Sequence, residues 1–175
     1  MKKLLFSVLT AALALPLAAQ MPDMKTNPIA AVGAAQYRAI ANNIAASIEK
    51  MPADQFSFRA TDTTRTFSEF VGHLANANYS YCTAVTGGTK PGDNFEKITD
   101  KAALVAAWKG AAEECTKAWS SATDKSLAEL KKMGPREVPA AQPLFGNNSH
   151  SNEHYGNLVT LMRLKGLVPP SSEKK

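Results

Sequence analysis

Three histidines occur in the 175-residue chain, His73, His150 and His154, and neutral imidazole is a good ligand for divalent zinc, nickel, iron or copper. His150 and His154 are four residues apart. On a helix they would lie about 40° from one another around the axis and about one turn apart along it, so they can share a ligand. The same face continues through Asn157, Leu158 and Leu161, which turns both imidazoles toward a core. His73 lies beside Phe70 and Ala77 on the flank of a second apolar stripe, where a neighbouring helix would be met. Three imidazoles from two helices would supply three corners of a tetrahedron and leave the fourth for water or substrate, the arrangement of a catalytic zinc rather than a structural one. Such an ion lowers the pKa of bound water toward roughly 7, or holds a thiolate or carbonyl for attack. The plainer reading is that the His pair arises by chance and His73 is a hydrogen-bonded core residue.

His150-Ser151-Asn152-Glu153-His154 also matches the H-x-x-E-H pattern of inverted zinc peptidases, with Glu153 as general base. That mechanism needs a further Glu ligand well downstream, yet the one acid after His154 is Glu173, so the pattern is an incomplete match. Asn76, Tyr79, Asn152, Glu153 and Asn157 are near the histidines in sequence and are the candidates to orient ligands or move a proton. Arg59 and Arg65 flank the start of the second helix, where they would hold an anionic substrate or simply be solvated.

The elements that must position these residues read as helices. Asn27-Pro28 is an N-cap followed by proline at the first helical position, and Ile29, Val32, Ile40, Ile44 and Ile48 recur at helical spacing until Met51-Pro52. Thr66-Phe67-Ser68-Glu69 fits a capping box opening a second helix, with Phe67, Phe70, Val71, Leu74, Ala77, Tyr81 and Val85 on one side and Gly87-Gly88 at its end. Asp100 caps a third, striped by Leu104, Trp108, Ala111, Cys115, Ala118 and Trp119. From Thr123 to Asn148 the pattern dissolves around Gly134-Pro135, Pro139 and Pro143, leaving at most a short turn of helix over 126–133. Asn148 or Ser149 then caps a fourth helix through Lys165, closed by Gly166 and Pro169-Pro170. Four helices and no convincing strand predict an all-α four-helix bundle over residues 28–170, followed by a disordered tail, 171–175.

At 45% hydrophobic and 20% charged the composition is that of one globular domain rather than a disordered chain or a multidomain enzyme. Met1-Lys2-Lys3, the apolar run Leu4–Leu15 and the small residues up to Ala19 read as a signal peptide over 1–19, with a short leader over 20–27. A periplasmic or secreted location is therefore expected, with no stable membrane insertion, since the apolar run falls short of the roughly 20 residues a spanning helix needs. Lys2 and Lys3 contribute to the net charge of +5; without them about +3 remains, spread along the chain. With no basic helix or stacking aromatic cluster, no nucleic-acid partner is expected. Cys82 and Cys115 are too far apart for a CxxC motif, and in an oxidising compartment they are either a structural disulfide or two buried thiols.

His73 in a second helix, then His150-x3-His154-Tyr155-Gly156-Asn157-Leu158, Leu161-Met162-Arg163 and Gly166-x2-Pro169-Pro170 resemble the DinB family of metalloprotein four-helix bundles. The resemblance spans about residues 28–170. It implies an up-and-down bundle of variant handedness, with a divalent transition metal, zinc or nickel foremost, held by His73, His150 and His154. Gly156-Asn157 stands where the family often has Gly-Gln, which leaves the ligands intact. Relatives of this kind include thiol-dependent transferases and isomerases in which the metal stabilises a thiolate; their bacillithiol or mycothiol is cytosolic, whereas this chain carries an export signal. The resemblance thus implies an exported metal-dependent hydrolase or transferase acting on an unidentified small molecule. The alternative is a non-catalytic protein holding metal or a small ligand inside the bundle. Family members often dimerise, so a homodimer is one implied state, although no exposed apolar stripe requires it.

Overall fold

The computed structural model describes residues 21–173; the signal peptide expected at 1–19 lies outside them. Four long helices form the body: α1 (Pro28–Lys50), α2 (Phe67–Thr86), α3 (Lys101–Ser120) and, after a short α4 (Asp124–Leu127) and a hairpin of β1 (Leu130–Met133) and β2 (Arg136–Pro139), α5 (Ala141–Leu164). Helix α2 packs against α3 on one side and α5 on the other, and α1 closes the ring by touching both. The four-helix reading therefore holds. None of the described helices is long and apolar enough to cross a membrane.

Local signals account for most helix ends. Thr66 Oγ1 accepts from Glu69 N at 3.2 Å while Thr66 N donates to the Glu69 carboxylate at 2.7 Å, the reciprocal capping box that the sequence spells. Asp100 accepts from Ala103 N at 2.8 Å. At the end of α5, Leu167 N reaches Met162 O and Gly166 N reaches Arg163 O, both at 2.9 Å, satisfying carbonyls that the last turn leaves open. Helix α1 departs from expectation. Asn27 makes no side-chain cap to it; instead the Asp124 carboxylate accepts from Ala30 N (2.9 Å) and Ile29 N (3.3 Å), while Asn27 Oδ1 accepts from Asp124 N (3.1 Å). Two helix starts distant in sequence cap each other.

The segment from 123 to 148 needs the largest correction. Residues expected as loop form the antiparallel hairpin, with Leu130 opposite Pro139 and Met133 opposite Arg136. Gly134 at φ +60° supplies the left-handed residue that a two-residue hairpin turn requires. The fourth long helix starts at Ala141, not at Asn148 or Ser149. Pro143 falls in its first turn, where no intrahelical N–H bond is lost. Of the tail expected over 171–175, residues 171–173 lie among the described residues and are held. Pro170–Ser172 form a 3-10 turn, Ser171 N donates to Tyr155 Oη at 3.1 Å, and Glu173 pairs with Lys50.

The core has a large cluster around Ile44, Phe67, Leu74, Leu104, Trp108, Leu158 and Met162, and a second around Tyr37, Trp119 and Leu144. In the second, Cys82 and Cys115 form a disulfide joining α2 to α3, their Cα atoms 5.0 Å apart and both residues fully buried. Beside it runs a buried polar chain. Tyr37 Oη donates to Asn78 Oδ1 (2.9 Å), Asn147 Nδ2 donates to the same oxygen (3.1 Å), and Asn78 Nδ2 donates to Leu74 O (2.8 Å) and Ser151 Oγ (3.4 Å). Burial holds the Tyr37 hydroxyl protonated, its pKa raised well above the ordinary value. These bonds lock the rotation of α2 and α5 about their axes one turn from the histidines.

Candidate metal centre

The seam between α2 and α5 carries the three histidines. One ring nitrogen from each of His73, His150 and His154 lies within 4.8 Å of the others, and His73 Nε2 is 3.1 Å from His150 Nε2. Nitrogens bound tetrahedrally to one zinc at 2.0–2.1 Å would stand about 3.3 Å apart, so small side-chain adjustments bring this trio to a common ion. His154 is 9% exposed and His73 has 23% of its side chain exposed. The cluster is thus embedded on one side and open on the other.

Two of the three imidazoles are braced by a hydrogen-bonded side chain. His73 Nδ1 donates to Glu96 Oε1 at 2.9 Å, which fixes the tautomer and leaves the Nε2 lone pair facing His150 and His154. Glu96 sits in a 3-10 turn, Phe95–Lys97, between α2 and α3. Burial alone would raise its pKa, but hydrogen bonds from His73 and Arg65 outweigh this and hold it below the ordinary carboxylate value. Asn157 Nδ2 donates to His154 Nδ1 at 3.2 Å, which braces that edge of the ring. His150 Nδ1 is buried and has no hydrogen-bond partner. Phe70 and Tyr81 wall the trio, their ring centres 5.7 Å from His154 and 6.0 Å from His150.

Burial favours the neutral form of the two α5 histidines. Desolvation by burial, then the neighbouring His154 and His73, push the His150 pKa down from 6.5 to about 4. His154 is lowered by burial and then by His73. Neutral imidazoles are the ligating form. The donor set fits a borderline divalent ion: with His73 Nδ1–H committed to Glu96, the lone pair of Nε2 faces a second imidazole nitrogen at 3.1 Å, a juxtaposition that a proton or a cation must bridge.

The turn holding Glu96 reaches His73 because of Gly72. A Cβ there would stand 2.2 Å from Phe95 O and 2.6 Å from Glu96 N, so only glycine lets this backbone press against α2. Asn76, one turn on from His73, completes the attachment by donating to Asn94 Oδ1 at 3.0 Å, while Asn94 Oδ1 also accepts from Glu96 N at 3.1 Å. Phe95 is 7% exposed and anchors the turn in the core.

The other candidates fall into two groups. Asn157 touches His154, and Glu153, though exposed, lies close enough to oppose the lowering of both α5 histidines. Arg65 Nε donates to Glu96 Oε2 at 3.2 Å, whereas Arg59 faces Glu69 at 3.7 Å. Tyr79 is turned toward α3, its hydroxyl against Gly110, and Asn152 lines a groove with Gln36, Ile40 and Asn148 on the α1 side of α5. Neither joins the cluster. Glu173, the downstream acid of the peptidase pattern, pairs with Lys50, and His73 takes the place that pattern gives to Glu. Neither Glu96 nor Gly72 stands out in the sequence; the cues are Phe95 and Ile98, two large apolar residues in a mostly polar loop.

Comparison with known proteins agrees with this architecture. A DinB-like protein from Bacillus cereus ATCC 10987 superposes with a TM-score of 0.64 at 19% identity, covering 77% of this chain and 91% of that one. A DinB-like protein from Bacillus subtilis gives 0.63 at 17% identity, covering 82% and 99%. A mycothiol-dependent maleylpyruvate isomerase gives 0.59 at 15% identity, covering 74% of this chain and 60% of that one. At these identities the likeness is one of fold. No curated protein matches the sequence. The DinB family pattern matches residues 30–174, nearly the whole of the described bundle, and the chain belongs to the DinB family.

Proposed function

We propose that this protein is an exported, metal-dependent hydrolase or transferase whose His73, His150 and His154 hold one divalent transition ion, zinc or nickel, with a coordination position left for a small-molecule substrate. The observation that carries the reading is the convergence of three imidazole nitrogens within 4.8 Å, with the Glu96 carboxylate on the outer nitrogen of His73. A carboxylate behind a ligating imidazole orients the ring and raises its basicity.

When bound, the ion supplies Lewis acidity at neutral pH. The chain supplies the remainder. Glu96 holds His73 in one tautomer, Asn157 braces the His154 ring by donating to its Nδ1, and Phe70 and Tyr81 keep water from the inner faces of the rings. Glu153, exposed and next to His154 in sequence on α5, is the carboxylate we assign to take a proton. The disulfide between Cys82 and Cys115 supports passage through an oxidising compartment, in keeping with the signal peptide read from the first 19 residues. Export separates the protein from cytosolic thiol cosubstrates, which favours water or another small nucleophile.

The test is elemental analysis of protein purified without chelator, followed by zinc and nickel titration of the wild type and of His73→Ala, His150→Ala and His154→Ala. We expect about one ion per chain, and loss of tight binding in each variant with helical content retained. A variant that keeps full affinity would remove its histidine from the ligand set, and an absence of binding by the wild type would end the proposal.

A further inference from the structure

Glu96 is shared. Its Oε1 accepts from His73 Nδ1 at 2.9 Å and its Oε2 accepts from Arg65 Nε at 3.2 Å, so one carboxylate ties a guanidinium to the histidine trio. Arg65 spends only Nε on this bond; among the described residues neither of its Nη groups has a hydrogen-bond partner, and its side chain is 41% exposed. The fork of two Nη groups is the edge that matches a carboxylate or phosphate in a two-point contact. The chain of contacts also limits the rotamers of a side chain that would otherwise sweep freely through solvent.

The charge balance points the same way. Three neutral imidazoles leave a divalent ion's charge uncompensated, Glu96 and Arg65 offset each other, and Glu153 removes one further unit. One net positive charge then remains beside an open coordination position, and a low-dielectric wall of Phe70 and Tyr81 strengthens its attraction for an anion. Arg59, the other arginine near the start of α2, faces Glu69 at 3.7 Å and is not tied to the trio.

We infer that Arg65, held by Glu96, is the substrate-recognition residue of this site and that the substrate carries an oxyanion, a carboxylate or a phosphate, seated on the Nη edge while its reacting group faces the histidines. The inference rests on the metal-site reading above and adds the chemical class of the substrate.

The experiment uses the full mature chain loaded with cobalt(II), whose visible absorption reports the coordination sphere. Malonate, inorganic phosphate and uncharged malonamide are each titrated into the wild type, Arg65→Met and Arg65→Lys. We expect spectral saturation with malonate or phosphate and none with malonamide. Arg65→Met should weaken the anion by tenfold or more with cobalt affinity unchanged within about threefold, and Arg65→Lys should fall between, since it keeps the charge and loses the fork. Which of the two anions binds more tightly distinguishes a carboxylate substrate from a phosphate one. Unchanged anion affinity in Arg65→Met, or equal response to malonamide, overturns the inference while leaving the metal centre standing. Failure of the wild type to take up cobalt overturns both.

Discussion

Replacing Gly72 by alanine should weaken metal binding without touching a ligand. The added Cβ would lie 2.2 Å from Phe95 O, 2.4 Å from Phe95 C and 2.6 Å from Glu96 N. All three atoms are backbone, so no side-chain rotation relieves the overlap, and the turn must withdraw by about 1 Å to restore ordinary contact. A withdrawal of that size carries Glu96 from 2.9 Å to beyond the roughly 3.5 Å at which a hydrogen bond to His73 survives. Loss of a carboxylate partner behind a metal-bound imidazole typically costs 10–100-fold in affinity, or about 1.4–2.7 kcal/mol. Alanine gains up to about 1 kcal/mol over glycine within a helix, so α2 itself should not melt. Zinc competition against a chromophoric chelator at neutral pH would read the change, with circular dichroism as the control for folding. Glu96→Gln, which leaves the backbone in place, should show a loss of similar size. If Gly72→Ala bound zinc within twofold of wild type while remaining folded, the turn would not be delivering Glu96 to His73, and the positioning argument would be refuted.

Three further outcomes follow from the same geometry. Reducing the Cys82–Cys115 disulfide, which spans 33 residues, should lower stability by about 3–4 kcal/mol on loop-entropy grounds, or roughly 10 °C in Tm for a domain of this size; an unchanged melting temperature in the Cys82→Ala, Cys115→Ala double variant would contradict it. In the metal-free protein the His150 pKa is depressed from 6.5 to about 4, so below pH 6.5 the unfolded chain binds a proton that the folded one refuses. Stability contributed by the neutral ring is therefore present above pH 6.5 and lost as pH falls toward 4. Partial exposure limits the loss to about 1–2 kcal/mol, and urea midpoints at pH 7 and 5 should show it shrinking in His150→Asn. Asp124→Ala should cost about 1 kcal/mol by uncapping α1, seen as a lower urea midpoint and faster hydrogen exchange at Ile29 and Ala30.

Much of this was readable from neighbours in the chain. The capping box at Thr66 and the cap at Asp100 involve partners three residues apart, and a helix terminus interprets such pairs in the same way in any fold. The stripes of α2 and α3 likewise announce their buried faces through the helical period alone. The hairpin is hidden in the sequence because Gly134-Pro135, Pro139 and Pro143 all read as breakers. Each is tolerated for a separate reason that depends on position: a left-handed turn, the last residue of a strand, the first turn of a helix. Asn27 misled in the opposite sense, since a good capping residue was available but Asp124, 97 positions away, reached the free amides first. A terminal position reads as a disordered tail over 171–175, whereas Tyr155 and Lys50 hold Ser171 and Glu173 through contacts that no local pattern records.

At the centre of the molecule the division is plain. Spacing alone determined that His150 and His154 share a face, because four residues along a helix make just over one turn, and the DinB resemblance named His73 as their partner. Only tertiary packing decided that His73 meets them, since that depends on the rotation of α2 against α5, set by Asn78, Ser151 and the buried contacts around Leu74 and Leu158. Glu96 belongs wholly to the three-dimensional structure, and so does its bond to Arg65, a residue the sequence offers only as an anion holder or a solvated charge. The place of Glu96 beside the trio results from the absence of one side chain at Gly72 and the burial of one ring at Phe95, and neither carries meaning until two segments of backbone are brought within van der Waals distance.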